Sequence, residues 1–167
     1  NIKLSQNYNN RYVDVLVEYY LEHKQFYQLK SLLPQICQRL KKFNSQAERV
    51  DYFNKFVQNC YELYMNDKNF AIEFAKIAYD TNLYSEAMCF IDLVNDMNDD
   101  TIFMRALILN RCEDFINSKK YINSILKKID KQSSIYFKLS LVLIMNLIQL
   151  NERDDAAIIF NEIKSHT

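Results

Sequence analysis

The sequence predicts an all-α protein, and three observations support that prediction. The 167 residues include no glycine and only one proline, whereas the turns of β proteins depend on both residue types. Apolar residues make up 49% of the chain, which is enough for a buried core and too many for a disordered chain. They also recur at spacings of three and four residues, as they do on one face of an α-helix.

The clearest example of this periodicity is the stretch from Ala71 to Val94. Each half of it carries the apolar stripe of an amphipathic helix. The two stripes are Ala71, Phe74, Ala75 and Ala78, and then Tyr84, Ala87, Ile91 and Val94. Between them lies the polar break Asp80-Thr81-Asn82, where asparagine can adopt the left-handed conformation that ends a helix. The stretch therefore predicts a hairpin of two antiparallel helices.

Three further hairpins repeat the same apolar offsets and begin at Val13, Ile102 and Ser140. The last three of the four recur at intervals that average roughly 34 residues. One more helix begins at the capping box Ser45-Gln46-Ala47-Glu48, and we expect it to continue to about Tyr64. Four hairpins and this helix make about nine helices.

We expect these helices to form a single helical-repeat domain over residues 11–167, after a polar lead-in at residues 1–10. The chain begins without methionine and without a signal-like segment. We therefore expect it to be a segment of a longer protein.

Pro34 falls in the second helix of the first hairpin and allows two interpretations. In one, it removes a backbone hydrogen bond and kinks that helix. In the other, Ser31 caps a new helix and Pro34 lies in its first turn, where proline is tolerated.

The stretch from Ala71 to Val94 resembles a tetratricopeptide repeat. It carries Ala71-x2-Phe74-Ala75-x2-Ala78, followed by Tyr84-x2-Ala87-x3-Ile91-x2-Val94. A weaker resemblance covers Val13 to Ile163, without the tryptophan, glycine and terminal proline of the consensus. The resemblance implies a divergent tetratricopeptide-like (TPR-like) α-solenoid of stacked antiparallel helix hairpins.

In TPR-like arrays, the first helices of the hairpins line a concave groove. The resemblance therefore implies a protein–protein interaction scaffold or adaptor, a subunit of a larger complex and not an enzyme. The expected groove residues are Ile72, Lys76, Tyr79, Phe103, Leu107, Asn110, Arg111, Leu141, Met145 and Ile148. The apolar ones would bury side chains of a partner helix or extended peptide, and Lys76, Asn110 and Arg111 would fix its register.

Two alternatives follow from the segment Ile135 to Leu150, which is apolar around nearly its whole circumference. Such a helix is either buried by its neighbours or completed by something outside this chain segment. A second copy would complete it in a homodimer, which makes homo-oligomerisation the alternative function. A small-ligand-binding sensor domain is a third possibility, although no cluster of titratable residues suggests a cavity for a ligand.

Composition also excludes several classes of function. A formal net charge of zero argues against nucleic acid as a partner. His23 and His166 have no cluster of ligands beside them, so we expect no metal and no cofactor. The segment Ile135 to Leu150 is too short and too polar to cross a bilayer, and we expect no membrane insertion.

Cys37, Cys60, Cys89 and Cys112 lie far apart, each within or beside a predicted helix, as expected for small core residues. The chain contains no Asn-x-Ser/Thr glycosylation site. We therefore expect an intracellular protein with reduced cysteines, in the cytoplasm or the nucleus.

Overall fold

The structure is a computed structural model that describes residues 2–94 and 98–165, with side chains from residue 11 onwards. The protein is all-helical, as predicted, and the described residues form ten helices. The helices are α1 (Ile2–Glu22), α2 (Phe26–Lys41), α3 (Gln46–Asn59), α4 (Tyr61–Asn66), α5 (Lys68–Asp80), α6 (Tyr84–Asp92), α7 (Asp99–Arg111), α8 (Phe115–Leu126), α9 (Ser134–Gln149) and α10 (Arg153–Lys164).

Contacts divide these helices into two compact units, Asn1–Leu93 (unit 1) and Val94–Thr167 (unit 2). A single repeat domain over residues 11–167 stays a prediction. The polar lead-in also stays a prediction, although α1 already begins at Ile2 and includes most of these residues. No glycine or proline lies between Ile2 and Glu22 to stop the helix from extending in this direction.

The same turn joins the two helices of all four predicted hairpins. Its second residue has a positive φ, namely Lys24 (52°), Asn82 (62°), Glu113 (61°) and Asn151 (62°). The N–H of the next residue donates to the carbonyl five positions earlier, as Leu83 does to Ala78 at 2.8 Å. These are features of the Schellman motif that ends many helices. The left-handed conformation expected at Asn82 is confirmed.

Because this turn uses no glycine, its backbone is strained where the residue tolerates positive φ poorly. Glu113→Gly relieves that strain but also raises the conformational entropy of the unfolded chain. We expect a net increase of about 0.5 kcal/mol in the free energy of unfolding. Asn151→Gly should gain less, since asparagine adopts this conformation more readily. Urea unfolding followed by circular dichroism measures both, and a loss of stability in Glu113→Gly would contradict the argument.

The helix predicted from Ser45 to about Tyr64 begins as expected but ends earlier. The Ser45 hydroxyl accepts a hydrogen bond from the Glu48 N–H at 3.2 Å, which is one half of the predicted capping box. At Cys60 the backbone turns out of helical geometry, with φ −101° and ψ 11°. The short helix α4 then starts at Tyr61, whose side chain is exposed.

Pro34 lies inside α2, which continues without interruption from Phe26 to Lys41. The Ser31 hydroxyl donates to the Gln28 carbonyl at 2.6 Å, so it does not cap a new helix. Proline has no N–H, and the Lys30 carbonyl therefore loses its helical hydrogen bond. The placement of Pro34 in the interior of the helix is the correct one of the two interpretations.

Aromatic side chains form the core of unit 1 around Phe74, which is fully buried. Its ring makes edge contacts, with centroid distances of 5.4 to 6.2 Å, to the rings of Phe56, Tyr64, Phe70 and Phe90. These rings come from α3, α4, α5 and α6. Through Phe56, the helix that begins after Ser45 packs into this cluster.

Helix α9 is the centre of unit 2 and contacts α7, α8 and α10. Leu139, Leu143 and Leu147 on α9 are almost completely buried. They pack in one apolar cluster with Ala106 from α7 and Ile122 from α8. This packing determines which side of α9 is left exposed.

Candidate partner-binding surface

One side of α9 carries a row of large apolar side chains that solvent can reach. These are Phe137, Leu141, Met145 and Ile148, which are 40% to 52% exposed. Their spacings of four, four and three residues place them along a single face of the helix. Apolar side chains that are exposed singly need no explanation, whereas a continuous row is typical of an interaction site.

Helix α7 extends this row on one flank. Phe103 and Leu107 are half-buried and pack against the core of unit 2. The Lys138 ammonium on α9 lies 5.6 Å from the centre of the Phe103 ring, so the beginnings of α7 and α9 lie side by side. We define the α7–α9 face as the six residues Phe103, Leu107, Phe137, Leu141, Met145 and Ile148.

A shallow groove of about 440 Å³ lies at the other end of this face. Its lining comes from the ends of both helices and from the turn after α7, namely Asn110, Arg111, Glu113, Phe115, Met145, Ile148 and Gln149. The two helices are therefore parallel neighbours over their length. Lys138 marks the start of the face, whereas Arg111 and Glu113 mark its end.

The structure corrects the prediction for Asn110, which was expected to face a partner. Asn110 is buried, and its side-chain amide donates to the Asn146 oxygen at 2.7 Å. The Asn146 amide in turn donates to the Ser118 hydroxyl, also at 2.7 Å. A buried amide needs such partners, and this chain of hydrogen bonds ties α7, α9 and α8 together inside unit 2.

The three predicted site residues of unit 1 lie on α5 and are half-buried. The Lys76 ammonium is 3.4 Å from the Glu73 carboxylate. The Tyr79 ring lies 5.7 Å from the ring of Tyr84. The structure therefore brings seven of the ten predicted residues together in unit 2 and places Ile72, Lys76 and Tyr79 in unit 1.

The polar residues of the first hairpin serve the packing of unit 1. Asp14 on α1 forms an ion pair with Arg39 on α2 and accepts a hydrogen bond from the Tyr52 hydroxyl on α3 at 2.9 Å. The Arg39 guanidinium lies 4.5 Å from the Tyr52 ring. Burial raises the pKa of Tyr52 well above its usual range. This arrangement joins three helices and keeps the phenol protonated as a donor.

Sequence reasoning missed Phe137 and Lys138 as members or neighbours of the face. Phe137 lies four residues before Leu141, so one further step of helical periodicity was the signal that would have found it. Lys138 carried no such signal, because its position over the Phe103 ring depends on how α7 packs against α9.

The cysteines follow their prediction only in part. Cys60 is buried, and burial raises the pKa of its thiol to about 12. Cys89 and Cys112 are exposed and are therefore not core residues. His23 is exposed, with Nδ1 2.8 Å from the Tyr19 carbonyl, whereas His166 lies outside the described residues.

Two further observations apply only to the part of the chain that the structure describes. There, no three side chains of histidine, cysteine, aspartate or glutamate are grouped so as to hold a metal ion. In the same residues, every helix is too short or too polar to cross a membrane. The absence of enzymatic activity and of a cofactor stays a prediction.

The α7–α9 face is thus the strongest candidate for a functional surface in the described residues, and its chemistry is apolar, with charge only at its ends. Membership of the tetratricopeptide family stays a prediction, because no family model, curated protein or solved structure matches this chain.

Proposed function

We propose that this protein is an interaction scaffold or adaptor that docks an amphipathic helix of a protein partner on the α7–α9 face. The observation that carries the proposal is the row of four apolar side chains on α9, each at least 40% exposed. Burial of such side chains contributes about 25 cal/mol per Å² of apolar surface. A helix with apolar residues at i, i+4 and i+7 fits a row of this spacing.

In this proposal, the partner's apolar side chains pack between those of α7 and α9. Leu141 and Met145 lie in the middle of the row and make the contacts that exclude water most completely. Charged groups at the ends set the orientation, since the cation Lys138 lies at the start of the face, whereas its end carries the carboxylate of Glu113 beside Arg111. Asn110 has no part in this docking because its amide is bonded inside unit 2.

We also infer that the four hairpins are units of a TPR-like solenoid, the architecture of a multisubunit scaffold. The support is the identical turn at the same position of each hairpin, which repeats both the positive φ and the hydrogen bond. Within unit 2, α9 also packs against both helices of the preceding hairpin. Stacking of each hairpin on its neighbour is the property that defines repeat proteins.

The test of docking is site-specific photo-cross-linking in an extract of the source cells. A photoreactive residue at Met145 is expected to capture a partner peptide, and mass spectrometry should show that its sequence carries apolar residues at i, i+4 and i+7. Leu141→Asp should weaken that capture at least 30-fold, because it places a charge in the centre of the apolar row.

The matched control is the same photoreactive residue at Ile158 on α10, an apolar side chain that is 65% exposed and lies outside the face. It should capture nothing in common with Met145. Capture at Met145 that survives Leu141→Asp, in a variant with unchanged helicity, would refute the assignment of this face.

A further inference from the structure

We infer that the helix that covers the α7–α9 face is α9 of a second copy of this chain, packed antiparallel across a two-fold axis. This inference rests on the proposed function, that the face docks a helix, and names the occupant. The protein is then a homodimer, and each copy contributes the same face to the interface.

The apolar row has the geometry that self-pairing requires. A two-fold axis between Leu141 and Met145 places Leu141 of one copy opposite Met145 of the other, and Phe137 opposite Ile148. An interface of this type must be self-complementary, because each contact occurs twice. The row is close to symmetric about its midpoint. Its spacings of four, four and three average about 3.7 residues, close to one turn of a straight helix, so the row follows one face along α9.

The charges at the ends of the face favour the antiparallel direction. Lys138 is the one charged residue within α9 and lies near its start, whereas the exposed Glu113 lines the groove at the end of the face with Met145 and Ile148. Antiparallel packing brings Lys138 of each copy towards Glu113 of the other. Parallel packing of α9 on α9 would bring the two Lys138 side chains together, and it would align the helix dipoles unfavourably.

The same arrangement accommodates the remaining charges of α7. Arg111 lies at the end of α7, and the exposed Asp99 and Asp100 lie in its first turn. When α7 packs antiparallel to α7 of the second copy, Arg111 approaches these two carboxylates. The middle of the face carries only apolar side chains, so it holds no charge that would select a foreign helix over a second copy.

One helix pair from each copy makes a small interface, at the lower end of the range for specific contacts, below about 1,200 Å² in total. We therefore expect a reversible dimer that dissociates on dilution. The helices remain folded in the monomer, because the core of unit 2 lies on the other sides of α9.

The experiment is sedimentation equilibrium of the whole chain from about 1 µM to about 500 µM, a range that brackets weak association. The unmodified chain should show a monomer–dimer equilibrium. Lys138→Glu and Glu113→Lys should each weaken the dimer about fivefold to tenfold, because each loses two symmetric ion pairs. The combined variant, with the charges exchanged, should return to within about twofold of the original affinity.

Two variants keep the result interpretable. Met145→Asp should abolish the dimer without loss of helicity, whereas Ile158→Asp on α10 should leave it unchanged. Lysine at position 113 is compatible with the turn, since Lys24 adopts the same positive φ in the first hairpin.

A chain that stays monomeric over the whole range would overturn the inference, while cross-linking from Met145 to another protein would leave the proposed function intact. A dimer that tolerates Met145→Asp would also overturn it, because the contact would then lie on another surface. If exchanging the charges fails to restore association, the antiparallel arrangement is wrong.

Discussion

Phe74→Ala is expected to lower the free energy of unfolding of unit 1 by about 3–5 kcal/mol. Phe74 is fully buried, and rings from four helices contact it edge to face. Alanine loses the transfer energy of the ring and leaves a cavity that these neighbours cannot fill without giving up their own contacts. The lost edge contacts are part of this total, and they favour its upper end.

Urea unfolding followed by circular dichroism measures this loss, and amide hydrogen exchange assigns it to unit 1. The matched control is Tyr27→Ala, which removes an aromatic side chain that is 84% exposed. It should change stability by less than about 0.5 kcal/mol. A loss below about 1 kcal/mol in Phe74→Ala would show that the ring cluster does not hold unit 1 together.

Asn146→Ala is expected to destabilise unit 2 by about 2–4 kcal/mol, because it leaves two buried polar groups with fewer partners. The Asn110 amide loses its acceptor, and the Ser118 hydroxyl loses its donor. Ser118 retains a long hydrogen bond of 3.4 Å to the Ala106 carbonyl. The cost is mainly the burial of groups that water would otherwise bind, and not the net strength of the bonds themselves.

A triple variant separates these two contributions. Replacing Asn110 and Asn146 with leucine and Ser118 with alanine removes every polar group of the network, and it should recover most of the stability. Gln149→Ala on the exposed side of α9 is the matched control for a lost amide on the same helix. If the triple variant is no more stable than Asn146→Ala, the desolvation argument fails.

The register of the hairpins was predictable from sequence because it depends on neighbouring residues. The stripe from Ala71 to Ala78 and the break at Asn82 locate the turn, and every hydrogen bond of that turn is closed within a few residues. Asparagine at position 82 was a usable signal for positive φ. Lys24 and Glu113 adopt the same conformation without any such signal, because the repeated turn imposes it on them.

The boundary between α3 and α4 was not predictable in the same way. Phe53, Val57, Tyr61 and Tyr64 continue one helical stripe across the break, and Cys60 is not a helix-breaking residue. The helix bends there, and α4 packs against α5. Periodicity cannot anticipate a bend of this kind, since the packing of another helix decides it.

The candidate face was likewise predictable from the sequence only in part. The resemblance to tetratricopeptide repeats placed Leu141, Met145 and Ile148 on the groove side of α9, and the three side chains are exposed together. The resemblance also predicted that Asn110 would contact a partner, whereas the structure bonds its amide to Asn146 inside unit 2. A polar residue on a helix has no preferred side until a buried partner exists for it.

What this sequence determined by itself is local: the helices, most of their ends, and the turns that pair them. Glycine-free turns and apolar spacing act over a few residues, so they can be read along the chain. What only the tertiary structure decided is which side of α9 faces solvent. That helix is apolar nearly all round, and its packing against α7, α8 and α10 leaves Phe137, Leu141, Met145 and Ile148 exposed.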